Sequence, residues 1–435
     1  MLIKNVNIRK KDGLWDIAIQ NGKIKKIERN IDPIEGEEII DGGGGLVIPP
    51  YVDSHTHLDY VGTYGDPIYN STGTLFEGID IWNERKKDIT FEDVKSRASK
   101  VLKWNIANGT QYVRTHVNTD EPGLTSLRAM LEVKEQFAPF IDVQIVAFPQ
   151  HGILNFKNGL ELIEEALVMG ADAIGAIPHF EDTREDAVDS IKEIFKLAEK
   201  YGVLVDVHCD ETDDDQSRGI EVVAAQASRY DMGKLVTASH TTAMASYNNA
   251  YAFKLFGLLK RANINFVANP LINIHLQGRY DTYPKRRGIT RVKELLEAGL
   301  NVSFGNDDIM DPFYPLGVGN MLEVLHMGVH VCHLTGYQEL LDSFDLVTTN
   351  GAKTLNIMDR YGIEVGKPGN LIILPAQNEY EALRKQVKPS YSIRNGKIIA
   401  KVESPNPVIY RGNEAEEIDF LMEASSLKAS NLTQA

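Results

Sequence analysis

The chain has 435 residues, 43% of them hydrophobic and 25% charged, and its formal net charge is −15. This composition fits a globular protein, either one large barrel with an accessory domain or two to three ordinary domains, and its acidity argues against nucleic acid or anionic membrane as partners. Two cysteines, no apolar run of membrane-spanning length and no signal-like N-terminus lead us to expect a cytoplasmic protein without a disulfide framework.

The first 48 residues are predicted to be β structure. The stretch "MLIKNVNI" alternates apolar and polar residues, and "WDIAIQNGKIKKIE" is typical of a hairpin that turns at Asn21-Gly22. Four glycines follow, Gly42 to Gly45. Because neither a Lys-Ser/Thr pair nor a helix comes after them, we interpret them as a connector and not as a phosphate-binding loop.

From residue 49 to residue 357, short apolar runs alternate with amphipathic helical segments, which predicts an α/β fold with a parallel sheet. One helical segment, "FEDVKSRASKVLKWNIANG", places Val94, Ala98, Val101 and Leu102 on one face and stops at Gly109. The strand–helix units, eight in number, predict a (β/α)8 TIM barrel. The expected strands are Tyr51–His57, Tyr112–Val117, Asp142–Pro149, Ala171–Ile177, Val203–Cys209, Leu235–His240, Ile264–Pro270 and Asn301–Asp307.

β-like patterns return after the barrel, in "KPGNLIILPAQ" and in "PSYSIRNGKIIAKV" with its turn at Asn395-Gly396. We expect residues 1–48 and 358–411 to pair into one small β-sandwich domain beside the barrel of residues 49–357. Residues 412–435 are acidic at first and then rich in Ser, Ala and Asn, and we expect them to form a C-terminal tail.

Metal-binding side chains gather at one end of the predicted barrel. Residues i and i+2 of a strand face the same way, so His55 and His57 both point inward at the end of the first strand. His208, His240 and Asp307 close the fifth, sixth and eighth runs. Barrel active sites lie at this mouth, and imidazole and carboxylate groups suit a divalent metal ion, so we predict a metal site there.

The motifs "HTHLD", "DVHCDE", "TASHTTA" and "FGNDD", in this order, resemble the amidohydrolase superfamily of metal-dependent hydrolases. Longer stretches, among them "STGTLFEGID", "GAIPHFEDTRE" and "NPLINIHLQGRYDTYPKRRG", are similar to the bacterial cytosine deaminases within it. The resemblance covers nearly the whole chain. It implies a barrel with a β-sandwich annex, hydrolytic deamination of cytosine to uracil and ammonia by a metal-activated hydroxide, and a role in pyrimidine salvage.

The resemblance also implies a ligand set and catalytic roles. One divalent ion, Fe²⁺ or Zn²⁺, is expected on His55, His57, His208 and Asp307, and a single ion is favoured because the fourth strand, "ADAIGAIPHFE", lacks the lysine that bridges two ions in some members. Asp307 is expected to accept a proton from water, His240 to hydrogen-bond the hydroxide, and Glu211 to protonate a ring nitrogen. The rival interpretation of Glu211 is a solvated position in the acidic run 210–215.

The expected substrate contacts are Gln150, Glu211, Asp308, Leu75 and Phe313. The amide of Gln150 can both donate to a pyrimidine carbonyl and accept from a ring N–H, although a strand-end cap is its alternative. Asp308 is placed near the amine and C5 side of the ring, and its alternative is to orient a histidine. Leu75 and Phe313 are pocket walls by resemblance, or ordinary core residues.

Two positions depart from the family pattern. Asn306 stands where a histidine usually precedes the Asp-Asp pair, and His151 stands where an acidic residue usually follows the glutamine. We expect both near the pocket, which leaves the preferred ring open: cytosine first, then isoguanine, creatinine, a 5-substituted cytosine or an aminotriazine. A non-catalytic scaffold is the other class considered, and the intact ligand set disfavours it. We expect a small nucleobase as partner and a homo-oligomer.

Overall fold

The computed structural model describes residues 1–121, 123–403, 408–411 and 414–417. Its strands are β1 (Leu2–Ile8), β2 (Leu14–Gln20), β3 (Lys23–Glu28), β4 (Ile39–Asp41), β5 (Leu46–Ile48), β6 (Tyr51–Thr56), β7 (Thr110–Asn118), β8 (Asp142–Phe148), β9 (Ala173–Ala176), β10 (Leu204–Cys209), β11 (Val236–His240), β12 (Asn265–Ala268), β13 (Asn301–Phe304), β14 (Leu371–Leu374), β15 (Tyr391–Arg394), β16 (Lys397–Lys401), β17 (Val408–Arg411) and β18 (Glu414–Glu417). Its α-helices are α1 (Leu75–Arg85), α2 (Phe91–Ala107), α3 (Thr125–Phe137), α4 (Gly159–Met169), α5 (Arg184–Tyr201), α6 (Gly219–Arg229), α7 (Asn249–Ala262), α8 (Pro270–Leu276), α9 (Val292–Glu297), α10 (Met321–Val331), α11 (Tyr337–Asp342), α12 (Thr349–Thr354) and α13 (Glu379–Lys385).

Strands β6 to β13 form the barrel, each pairing in parallel with the next one along the chain. They are rich in Val, Ile, Phe and Ala, and nearly every position is buried because helices cover the outer face. The barrel closes where residues just after β13 meet β6: Asp307 N donates to the His55 carbonyl at 2.8 Å, and His57 N donates to the Asp307 carbonyl at 3.0 Å. We call this contact the seam. The predicted (β/α)8 fold is confirmed, strand by strand.

The helices begin and end where the local chemistry dictates. Helix α2 is capped by the Thr90 side chain and buries the predicted face of Val94, Ala98, Val101 and Leu102. Helices α4 and α5 end at Gly170 and Gly202, whose φ angles are 112° and 65°. Left-handed conformations of this kind cost glycine little, which is why αβ loops favour it.

The terminal segments form one separate sheet, in the order β16-β15-β14-β5-β1-β2-β3. Strand β1 is its branch point, since β4 and β5 both pair with it in parallel. Strand β14 pairs with β5 and so joins the C-terminal segment to the N-terminal one. Both predicted Asn-Gly turns are present, with φ of 51° and 75° at Asn21-Gly22 and of 48° and 70° at Asn395-Gly396. The expected annex built from both ends of the chain is therefore confirmed.

The division of the chain at residues 48, 357 and 411 stays a prediction. Strands β17 and β18 pair as a hairpin that crosses the proposed boundary after residue 411, and residues 418–435 of the expected tail lie outside the described residues. Within the described part of the chain, no helix combines the length and the apolar character needed to span a membrane.

Candidate active site

Four side chains at the mouth of the barrel point their ligand atoms at one another. The Nε2 atoms of His57 and His208 lie 3.2 Å apart, and Asp307 Oδ1 lies 3.3 Å from His55 Nε2 and 3.4 Å from His57 Nε2. All four residues are buried. Two imidazole nitrogens this close cannot both carry a proton, so at least one of them is an acceptor that could bind a metal ion.

The spacing fits a tetrahedral metal ion. Ligand atoms at bond lengths of roughly 2.1 Å from such an ion stand roughly 3.4 Å apart, which is the separation seen here. His55 Nε2 finds no hydrogen-bond partner among the residues that the structure describes. Strand β9 supplies Ala173, Ile174, Gly175 and Ala176 and no lysine, in keeping with a single ion. The residues present therefore fit one divalent metal ion, whose identity the donor set leaves open between Fe²⁺ and Zn²⁺.

A buried hydrogen-bond chain orients the first ligand. Arg114 Nη1 donates to Asp206 Oδ2 at 2.8 Å, the Ser239 hydroxyl donates to Asp206 Oδ1 at 2.6 Å, and His55 Nδ1 lies 3.0 Å from Ser239 Oγ. Because the serine proton is committed to the aspartate, His55 Nδ1–H donates to the serine, which leaves Nε2 as the acceptor for a metal.

His240 and Asp307 are held by amides. Asn273 Nδ2 lies 3.1 Å from His240 Nδ1, so Nδ1 accepts and the ring proton sits on Nε2, which has no partner in the described part of the chain. Asn269 Nδ2 donates to Asp307 Oδ2 at 3.1 Å. His240 and Asp307 both have left-handed backbone, with φ of 65° and 67°. Strained backbone of this kind persists where surrounding contacts over-determine it, as at active sites.

Glu211 is buried beside these groups. Its Oε1 lies 3.3 Å from His240 Nδ1. Burial, followed by the nearby Asp307 carboxylate, raises the pKa of Glu211 well above its ordinary value. The surroundings of Glu211 therefore favour its neutral form, and the interpretation of this position as a solvated loop residue is wrong because the residue is buried.

A cavity of about 510 Å³ opens from the ligand cluster to the surface. All of the residues predicted to contact substrate line it, together with His57, His208, His240 and Asp307: Leu75, Gln150, Glu211, Asp308 and Phe313. Phe313 also packs in an apolar cluster with Tyr60, Ile79 and Trp82, so it is both a wall and a core residue. The cavity is larger than one pyrimidine ring requires and leaves room for a ring substituent.

The loop after β13 is organised by Asp311. Its carboxylate accepts backbone N–H groups of Ile309, Phe313 and Tyr314 at 3.0 to 3.2 Å. Burial, with the negative charges of Asp311 and Asp307, raises the pKa of Asp308 well above its ordinary value. Asp308 thus faces the cavity with Asp311 as its neighbour.

The two departures from the family pattern lie directly behind the residues that line the cavity. Asn306 donates its amide to Asp53 Oδ2 at 2.9 Å and to the Met321 sulfur, and it is absent from the cavity lining. His151 pairs with Asp120 and packs against Phe180, which does line the cavity, so it stands one layer behind.

Sequence reasoning missed several residues of the site. Asp206 precedes His208 by two positions, so strand alternation could have placed it on the same face. Tyr60, which stacks on His57, carried no motif signal. His116, near the end of the second strand, packs with its ring centroid 3.9 Å from that of His55, and its Nε2 lies 3.5 Å from Asp206 Oδ1.

Comparisons with known proteins agree with this geometry. A family model described as "Amidohydrolase family" matches residues 38–400. N-isopropylammelide isopropyl amidohydrolase of Pseudomonas sp. (strain ADP) is 31% identical over 93% of this chain and 98% of its own length. The crystal structure of 5-methylcytosine deaminase from Klebsiella pneumoniae liganded with 5-fluorocytosine is 49% identical, with a TM-score of 0.91 over 94% of this chain and 99% of that chain.

Proposed function

Because the chain belongs to the amidohydrolase family, we propose that it hydrolyses the exocyclic amine of a cytosine ring to give the corresponding uracil and ammonia. The expected family membership is confirmed, and with it a hydrolytic enzyme. The observation that carries the proposal is the convergence of His55, His57, His208 and Asp307 beside the buried Glu211, at the inner end of one cavity.

Each residue has a stated part in the proposed reaction. His55, His57, His208 and Asp307 would hold a divalent ion, which when bound would supply an acidified water as the nucleophile, with a pKa near ~7. Asp307 accepts the proton of that water through a carboxylate oxygen. Glu211 delivers a proton to the ring nitrogen, which makes the adjacent carbon more electrophilic. His240, whose ring lies beside Glu211 and Asp307, hydrogen-bonds the oxygen that develops charge as the tetrahedral centre forms, and ammonia then leaves with a proton.

The substituent at C5 of the cytosine ring is the finer part of the proposal. The cavity exceeds the size of cytosine, and the 49% identical relative is named a 5-methylcytosine deaminase. We therefore include cytosine with a methyl group at C5 beside cytosine itself. Isoguanine, creatinine and aminotriazines remain the competing rings.

The test is ammonia release from a substrate panel by purified protein reconstituted separately with Zn²⁺ and Fe²⁺. The panel contains cytosine, 5-methylcytosine, isoguanine, creatinine and an N-alkylated ammelide. We expect cytosine or 5-methylcytosine to give the highest kcat/KM, and the His208→Ala variant to lose both metal and activity. The Cys332→Ser variant serves as the control. Turnover of another ring with neither cytosine consumed would overturn the proposal.

A further inference from the structure

We propose that Tyr60 determines ring selectivity by fixing the orientation of the Gln150 side-chain amide. The inference deepens the proposed function and rests on it. Tyr60 touches no expected reacting atom; it acts through Gln150, so it is a positioning residue.

The Tyr60 ring is immobilised on several sides. It stacks on His57 with centroids 5.0 Å apart and an interplanar angle of 10°. Its centroid lies 4.1 Å from that of Trp82 and 5.8 Å from that of Phe313. Only 1% of the residue is exposed. A ring packed in this way has one available position, so the direction of its hydroxyl is set by the fold.

The Tyr60 hydroxyl hydrogen-bonds to one end of the Gln150 side-chain amide. Tyr60 Oη donates to Gln150 Oε1 at 3.1 Å, and the described residues offer this hydroxyl no other hydrogen-bond partner. With Oε1 held by the tyrosine, the Nε2 amino group of Gln150 is the end that turns to the cavity that both residues line. Without the Tyr60 hydroxyl, the Gln150 amide could turn either end to the cavity, since its oxygen and nitrogen differ little in shape.

A fixed amide selects a hydrogen-bond pattern on the ring. Cytosine presents a carbonyl acceptor at C2 with an N–H donor at N1, which matches an amide whose nitrogen faces the carbonyl. The analogue 2,4-diaminopyrimidine presents the reverse pattern, an amino donor at C2 with an acceptor at N1. A site that holds its polar groups in one orientation rejects the reversed pattern, because a buried donor is then left facing a donor.

The experiment compares wild type with Tyr60→Phe, which keeps the stacked ring and removes only the hydroxyl. The measurements are KM and kcat for cytosine and the inhibition constant of 2,4-diaminopyrimidine in the cytosine assay. Once the hydroxyl is gone the amide can rotate, so we expect the preference for cytosine over the analogue to fall by about tenfold. Metal content and melting temperature report on folding. The matched control is Tyr361→Phe, which removes a buried hydroxyl that donates to the Pro50 carbonyl at 2.6 Å, away from the cavity.

The outcomes separate the inference from the proposed function. An unchanged ratio in a folded, metal-loaded Tyr60→Phe variant that still turns over cytosine overturns the role of Tyr60 alone. A uniform drop for both rings also overturns it, because that pattern reports a structural defect. Wild-type protein that turns over neither cytosine nor 5-methylcytosine overturns the proposed function instead. If Tyr60→Phe fails to fold, Gln150→Glu provides the second variant: a carboxylate cannot donate to the C2 carbonyl, so the preference should again shift toward the diamino ring.

Discussion

Two features of the surroundings of Glu211, its burial and the nearby Asp307, favour its neutral form. Burial disfavours a carboxylate there, and the adjacent Asp307 carries negative charge, so the pKa of Glu211 is raised. The acid form, which the reaction needs for ring protonation, predominates below that raised pKa. The acid form is lost as the pH rises through that pKa, so activity should decline as the pH is raised.

For Glu211→Gln we expect kcat/KM for cytosine to fall by ~10²–10⁴-fold, because the amide cannot deliver a proton. The alkaline decline assigned to Glu211 should disappear from the pH profile while metal content stays unchanged, since Glu211 is not among the four ligands. Asp215→Asn, in the exposed part of the same acidic run, is the control. Retention of activity within about threefold, with the wild-type pH profile, would contradict the assignment.

At the scale of single residues, the ligands were predictable because they sit at strand ends with simple spacing. His55 and His57 are two positions apart and therefore share one face of a strand, and His208 and Asp307 end apolar runs. The position of Tyr60 was not predictable, since it follows from how loops fold over the mouth. Asn306 was expected near the pocket, and the structure places it next to Asp307 with its amide on Asp53, a partner that no sequence pattern indicated.

Among the elements, the seam ties barrel closure to the site. The hydrogen bonds that join β6 to the end of β13 involve the backbones of His55, His57 and Asp307, so the same contact closes the barrel and sets the ligands in register. Gly305 lies at the close approach: a Cβ there would stand 2.6 Å from the His55 carbonyl oxygen and 2.7 Å from Asn269 Oδ1. Only glycine fits without a shift of the backbone.

We therefore expect Gly305→Ala to separate the two strands, to lower the melting temperature through a cost of ~1–3 kcal/mol, and to weaken Zn²⁺ binding at least tenfold. Thermal unfolding and competition with a chromogenic chelator provide the measurements. Gly257→Ala in α7 is the matched control, since its Cβ would meet nothing closer than Arg261 Nη1 at 3.7 Å. A variant with wild-type metal affinity would show that the seam does not govern the ligands.

Most helices, strands and turns could be predicted because the sequence patterns that specify them are local. Asn-Gly turns specify the hairpins at Asn21 and Asn395, and glycines at helix ends mark Gly170 and Gly202. The parallel pairing of the three-residue strand β4 with β1 has no local signal. It depends on contacts between segments far apart in the chain, which no periodicity reports.

For the whole molecule, Arg9 is a link between the annex and the barrel side. Its Nε donates to Glu379 Oε1 at 2.7 Å, its Nη2 donates to the Leu341 carbonyl at 2.7 Å, and its Nη1 pairs with Asp345. Its side chain is 9% exposed. Burial would raise the pKa of Asp345, but Arg9 and Lys10 outweigh it and lower that pKa below its ordinary value. Removal of Arg9 leaves two acidic groups with little water to solvate them.

We expect Arg9→Met to destabilise the protein by about 3 kcal/mol, seen as a lower melting temperature at neutral pH, with kcat/KM for cytosine within about twofold of wild type. The stability from Asp345 is present above its ordinary pKa of about 4 and is lost as pH falls through the lowered one. The difference between wild type and variant should thus shrink in acid. Arg128→Met, at a half-exposed pair with Glu165, is the control. An equal loss from both variants would argue against the link.

The global architecture was predictable from the order of strand and helix signals, whereas assembly and location are not encoded in contacts within one chain. A homo-oligomer and a cytoplasmic location stay predictions. The small-molecule class of substrate is part of the proposed function, supported by the cavity at the barrel mouth and not by charge.

The seam limits how this part of the sequence can change during evolution. The barrel is closed by backbone hydrogen bonds of His55, His57 and Asp307, and the side chains of the same residues belong to the group that fits a metal ion. A descendant that abandons catalysis can replace these side chains, but it must keep the main-chain path around His55 and Asp307 or close the barrel elsewhere.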